Sequence, residues 1–216
     1  KKVKLLSTLS FVVPIFSVRR TKLDWPNVNT QPGVFLEYLS KRVPTNWVHI
    51  QLSTPNELVL KMLKVDGIAK NIYSKIKKRL VEHLFVAHIN VHSNYSNGYF
   101  ISLKKDIKTG KDILNTEREV ISNLNKVVRI FKWGLIKIFL SIKLFPLFLF
   151  AKNTGKSGGY HVGGSMPMRI NPIRETDTNI LGNPKDMRHI HVIDSSVFPS
   201  LPATTVGLLA MANAAR

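Results

Sequence analysis

The sequence predicts an α+β fold built on an antiparallel sheet. Three observations carry this. Residues 85–93 alternate, with Ala87, Ile89 and Val91 on one face and His88, Asn90 and His92 on the other. Tyr99, Ile101 and Leu103 alternate again beyond Asn97-Gly98. Period-two alternation marks a half-buried strand, and Asn-Gly between two such runs is a strong hairpin signal, because both turn positions need positive φ. Helical periodicity is confined to other segments, at 54–82, 116–130 and 135–145. Helices interspersed with hairpin strands, without an internal repeat, make the α+β pattern.

Each element follows from local signals. Trp25-Pro26-Asn27 and Gln31-Pro32-Gly33 read as turns. A short strand is predicted at 47–52. Thr54 then offers an N-cap, Pro55 the first helical position and Glu57 the third. Leu58, Leu60, Met62, Leu63 and Val65 give that helix an apolar face, and Gly67 interrupts it before a second helix at 68–82. A hairpin is predicted over 84–103. Residues 116–130 read as a polar-faced helix and 135–145 as another. A glycine-rich loop covers 155–165, a short strand 190–193 enters a turn, and a last helix covers 204–216.

Bulk properties narrow the function classes. The 216 residues suffice for one large or two small domains, and 44% hydrophobic against 21% charged residues is not a disordered composition. The absence of cysteine excludes disulfides and thiolate metal sites and fits a reducing, cytoplasmic setting. The net charge of +19 is mostly Lys scattered over 1–156 rather than an Arg-rich stripe, so no nucleic acid is expected as partner. Lys1-Lys2 and residues 5–16 superficially resemble a signal peptide. Ser7, Thr8 and Ser10 weaken the apolar part and no small-x-small site follows, so this reads as an interior segment. The chain opens on Lys1 and stops inside a helical pattern at Arg216, so both ends read as cut. Residues 135–150 are the most apolar run. Lys137, Lys143 and Pro146 interrupt it and it falls short of the ~20 residues a span needs. It reads as a buried or membrane-facing helix, which leaves a peripheral membrane contact as a further partner.

The chemistry is concentrated in the last third. Gly158-Gly159-Tyr160-His161-Val162-Gly163-Gly164-Ser165 places an imidazole between glycines. Small residues let a backbone approach a planar ligand, and an imidazole accepts a proton near neutral pH. Further along stands Val192-Ile193-Asp194-Ser195-Ser196-Val197-Phe198-Pro199-Ser200-Leu201-Pro202. There a hydrophobic segment ends in an acid and small hydroxyl residues, and a proline-framed turn feeds a helix. Other signals are weak. Thr154-Gly155-Lys156-Ser157 lacks the upstream glycine of a phosphate loop, because Phe150 stands there. Asn94-Tyr95-Ser96 is a glycosylation sequon with no secretory context. His88, His92, His189 and His191 have no carboxylate-rich companions, so no metal is expected.

The pair of blocks resembles the C-terminal signature of the glucose–methanol–choline (GMC) flavin oxidoreductases, x-His-x-Gly-Gly followed by Val-Val-Asp-Ala-Ser-x-x-Pro-x-x-Pro. Met166-Pro167-Met168 resembles the continuation in some members. The resemblance implies FAD as cofactor, an alcohol as substrate and His161 as the base that takes the hydroxyl proton while hydride passes to the flavin. It implies that Asp194 and Ser195 lie beside the ribityl and phosphate region. It also implies that the helix opening at Thr205 and Val206 points its positive end at the flavin pyrimidine. Many members carry a second His or Asn where Thr205 stands; threonine can bond a substrate hydroxyl but is no base. The chain has no Gly-x-Gly-x-x-Gly, so the resemblance implies a C-terminal fragment. Residues 1–157 would be part of the substrate domain, and 158–216 would return to the FAD-binding, Rossmann-like domain with its last strand and helix. Two other readings are a basic membrane-surface or nucleic-acid-binding module, and an inactive relative that keeps the fold.

Overall fold

The computed structural model describes residues 2–20, 33–39, 48–55, 79, 81–121, 124–153 and 161–216. The fold is mixed α+β, with antiparallel sheets and, among the described residues, two α-helices bounded at both ends. One sheet has the order β10-β1-β6-β7, from Val162–Gly163 (β10), Lys2–Ser7 (β1), Tyr99–Lys105 (β6) and Asp112–Arg118 (β7). The other runs β3-β4-β5-β2-β8, from Val34–Tyr38 (β3), Val48–Ser53 (β4), Leu84–Val91 (β5), Leu9–Ser17 (β2) and Leu144–Pro146 (β8). Lys152–Asn153 (β9) also pairs with β2.

The larger sheet forms around one continuous apolar face of its central strands. Along β2, Leu9, Phe11, Val13 and Ile15 fall on one face at period two and join Ile50, Ala87, Ile89 and Val91 in the core. The helix α1 (Leu124–Ser141) covers that face. Its buried Val127, Phe131, Leu135 and Phe139 recur every fourth residue, which aligns them in one ridge. Phe131 packs its ring 5.8 Å from that of Phe11. Pro14 is tolerated inside β2 because it falls between β8, which pairs with Ile15–Ser17, and β9, which pairs with Phe11 and Val12.

Two of the chain's passages between the sheets lie close together. Thr8 separates β1 from β2, and residues 92–98 separate β5 from β6. The passages are tied to each other where the Leu9 amide donates to Ser96 Oγ at 2.5 Å. Ser96 in turn donates to the carbonyls of Val91 and His92.

This second passage corrects the predicted hairpin. Both strands form within 84–105, but they do not pair. β5 lies between β2 and β4, and β6 between β1 and β7. The Asn97 side chain accepts from the Ile121 amide at 3.0 Å, and Gly98 does not take a positive φ. The tight hairpin lies instead between β6 and β7. There Asp106 Oδ1 accepts from the amides of Lys108 and Thr109, and Gly110 supplies φ 67°.

The helices also shift. Residues 116–118 of the predicted 116–130 helix belong instead to strand β7, because its seven-residue ladder with β6 outweighs local helical preference. Residues 124–130 merge with the next predicted helix into α1, which runs unbroken to Ser141. It stops there because Lys143 adopts the left-handed conformation, at φ 60°, and its amide returns to the Leu140 carbonyl. Residues 190–193 form no strand. The Asn183 side-chain amide takes the Ile190 carbonyl, and one bond joins the Val192 amide to Gly182. The last helix, α2 (Gly207–Ala215), opens three residues later than the predicted 204. The predicted strand at 47–52 matches β4 to within a residue. The predicted turns at 25–27 and 31–32, the helices over 56–78 and most of the glycine loop before His161 lie outside the described residues.

Phe139 is fully buried between α1 and the larger sheet. Phe139→Ala is expected to cost about 3–5 kcal/mol of unfolding free energy, read from the midpoint and slope of a urea titration.

Candidate functional site

The two sequence blocks of the last third lie against each other in space. Ser195 Oγ donates to the Val162 carbonyl at 2.8 Å, across 33 positions of chain. Three backbone bonds continue the contact: Gly164 N to Ser195 O at 2.9 Å, Met166 N to Ser196 O at 2.8 Å and Met168 N to Val197 O at 2.7 Å. The glycines permit this lacing. A Cβ on Gly163 would collide with the Ser195 carbonyl, and Gly164 holds φ 68° with a Cβ position occupied by Leu6. At these two positions, then, the room a glycine leaves is filled by the chain itself rather than by a planar ligand.

The laced segment is anchored to the sheets. Leu6 and Ser7 of β1 pair with Gly163 and Val162, and the Thr8 amide extends the ladder by donating to the His161 carbonyl at 3.1 Å. Val197, Phe198 and Leu201 form a small buried cluster with Leu6, Met168, Val192, Val206 and Ala210 around it. Leu201 exchanges two bonds with Ser93, amide to carbonyl at 3.0 Å and amide to hydroxyl at 2.8 Å. The site is therefore held where the two sheets meet.

His161 is half-buried, and burial pushes its imidazole below the ordinary histidine value. It therefore stays neutral, and able to accept a proton, into mildly acidic solution. Asp194 is exposed and caps the short turn Ser195–Val197. Its Oδ1 accepts from the Ser196 amide at 2.9 Å and from the Ser196 hydroxyl. Thr205 is exposed and makes no side-chain hydrogen bond among the described residues. Val206 is the N-cap residue of α2, offers no side-chain cap, and no acid stands in the first turn. The amides of that turn lack the side-chain partner that would quench their positive end. The far end of α2 is fixed by Asn213, which donates to the Ile193 carbonyl at 3.1 Å.

His161, Ser195 and Asp194 are thus brought together along one ladder, and Val206 joins them through the apolar cluster. No hydrogen bond links Thr205 to His161 among the described residues. Sequence reasoning passed over Thr8. It stands opposite His161 on the β1–β10 ladder, where facing residues share a side of the sheet. Its hydroxyl is buried and has no hydrogen-bond partner among the described residues. A second omission is Asp177, buried beneath the 169–192 loop. Burial raises its carboxyl, but the amides of Arg174 and Ile173 and the charges of Arg169 and Arg174 outweigh that and hold it low. The Asp-Asn spacing of 177, 179 and 183 was the available signal, since short polar side chains bond nearby backbone. Among the described residues no group of histidines and carboxylates is placed to hold a metal.

No known protein family matches the chain, and no curated protein is significantly similar to it.

His88 and His92 share the depressed basicity of His161, and burial is the cause in each. The unfolded chain therefore binds protons first as pH falls. Stability is full above the ordinary imidazole range and declines through it towards the lower folded values. Denaturation midpoints should fall on acidification through that range, and His88→Gln should make the fall shallower. Gly163→Ala should displace the Ser195 carbonyl and loosen the tail, seen as faster amide exchange at Gly164, Met166 and Met168 while the β2–β5 ladder stays protected.

Proposed function

We propose that the chain is the C-terminal portion of an FAD-dependent oxidoreductase of the GMC type, acting on CH–OH groups. The observation that supports this reading is the lacing of the His161 block to the Asp194–Ser195 block. Two distant segments with a family-like signature are joined through four hydrogen bonds into one surface. On this reading residues 158–216 return to the FAD-binding domain and 1–157 belong to the substrate domain.

The donor set fits the redox end of the cofactor. It comprises a neutral imidazole at His161, an exposed carboxylate at Asp194, the Thr205 hydroxyl and the uncapped first turn of α2. These groups suit an electron-rich ring edge and a polyhydroxyl chain. The ADP half needs a glycine fingerprint, and the chain carries none. FAD, when bound, supplies a two-electron acceptor for hydride.

The chain's own residues would then act as follows. His161, kept neutral by burial, accepts the proton of the substrate hydroxyl as the C–H bond weakens. Thr205 bonds the substrate oxygen without titrating. Asp194 and Ser195 hold the cofactor's polar chain, and the amides after Val206 stabilise negative charge that grows on reduction.

Expressed from the longest reading frame that includes residues 1–216, the protein should be yellow and should bleach when an alcohol is added without oxygen. His161→Ala should slow the reductive half-reaction by about 10²–10⁴-fold, while Asp194→Asn should mainly weaken flavin retention. The rate should drop on acidification with a midpoint below the ordinary imidazole value, because burial lowers the basicity of His161. An unchanged rate in His161→Ala would remove the assignment.

A further inference from the structure

The outward side of α1 carries chemistry that the proposed reaction does not use. Lys126, Arg129, Trp133, Lys137 and Leu140 follow one another at spacings of three and four, so they form one stripe along the helix. That stripe lies opposite the buried ridge of Val127, Phe131, Leu135 and Phe139. Lys126, Arg129 and Lys137 are exposed, and Trp133 and Leu140 are 62% and 46% exposed. The helix contains no acidic residue to neutralise these cations. Lys126, Arg129, Ile130, Trp133 and Lys137 line an open depression of about 770 Å³. Beyond the helix end, Ile142 is 56% exposed and Lys143 is exposed as well. The remaining lysine, Lys132, is turned away, over the rings of Phe11 and Phe148.

We propose that this stripe seats the chain on an anionic lipid surface. Lys126, Arg129, Lys137 and Lys143 meet the headgroup phosphates, as guanidinium and ammonium groups do. Trp133 enters the interfacial layer, where its apolar body and its N–H are both satisfied. Leu140 and Ile142 follow it into the boundary with the acyl chains. These aliphatic residues decide between anionic partners. A bilayer surface offers them an apolar layer, whereas the phosphates and base edges of a nucleic acid do not. The contact is peripheral, and among the described residues no helix is long and apolar enough to cross a membrane.

Co-sedimentation of the chain with vesicles tests this. Binding is expected to phosphatidylcholine vesicles that contain phosphatidylserine and not to phosphatidylcholine alone. The triple variant Lys126→Gln, Arg129→Gln, Lys137→Gln should bind roughly a hundredfold more weakly, at about a fivefold loss per charge. A matched variant on the β6–β7 hairpin, Lys105→Gln, Lys108→Gln, Lys111→Gln, removes the same charge elsewhere and should bind nearly as the unaltered chain does. A blue shift of tryptophan emission on binding should vanish in Trp133→Phe, although Trp25 and Trp47 remain. All substituted side chains are exposed, so folding is preserved and circular dichroism should not change. Equal losses from the two triple variants would reduce the effect to diffuse charge and overturn the proposal. Failure of the unaltered chain to bind anionic vesicles would overturn it too. So would tighter binding to duplex DNA than to vesicles through the same three cations.

Discussion

The architecture depends on one junction, where the chain crosses twice from sheet to sheet and the tail comes back to meet it. Ser96 and Ser93 make it. The first accepts the Leu9 amide, which fixes the β1–β2 passage against the β5–β6 passage. The second exchanges hydrogen bonds with Leu201, which fixes the tail. Both serines are buried, so their polar atoms must find partners inside the protein, and the partners available are main-chain groups of segments remote in sequence. A mobile surface loop would not impose this. A buried hydroxyl between two passages leaves few alternative registers.

The candidate site inherits its geometry from that junction. β1 runs from the junction towards β10 and carries the His161 loop on its ladder, while Leu201 brings the 194–198 segment to the same place. Glycine at 163 then lets two backbones approach closer than any side chain would allow. The imidazole is thus presented from a braced segment rather than from a free loop. Its neighbour across the ladder, Thr8, belongs to the opposite end of the chain. The site is composite, and neither its imidazole nor its acid is held by local sequence alone.

Legibility in the sequence followed the range of the interactions. The strand at 47–52 and both strands around Asn97 were readable, because alternation is local. Their pairing was not, because Asn97 is spent on Ile121 and the decisive partners, β2 and β1, lie at the other end of the chain. Residues 116–118 were misread as helical because their strand character comes from the ladder with β6 rather than from alternation of their own. Residues 190–193 failed in the opposite sense. Their apolar run looked like a strand, yet the Asn183 side chain captures a carbonyl a strand would need. For the site, His161, Asp194 and Ser195 were visible as residue types in a pattern, whereas Thr8 was invisible. Nothing about a threonine between two apolar runs indicates which residue will face it.

The free edge of the smaller sheet has a consequence for life in concentrated solution. β7 ends that sheet with no further strand among the described residues, and Ile113 and Leu114 are exposed on it. Such an edge is a template on which another chain can lay a strand. Here the template is interrupted by ions. Asp112 and Arg118 stand at its two ends, and Glu117 is clasped by Lys104 of the adjacent β6 and by Lys2 of β1 beyond it. An incoming strand would have to dehydrate these charges for each new pair of main-chain bonds. The same ions that contribute little to the fold of one molecule therefore act between molecules, as a barrier to aggregation along the edge.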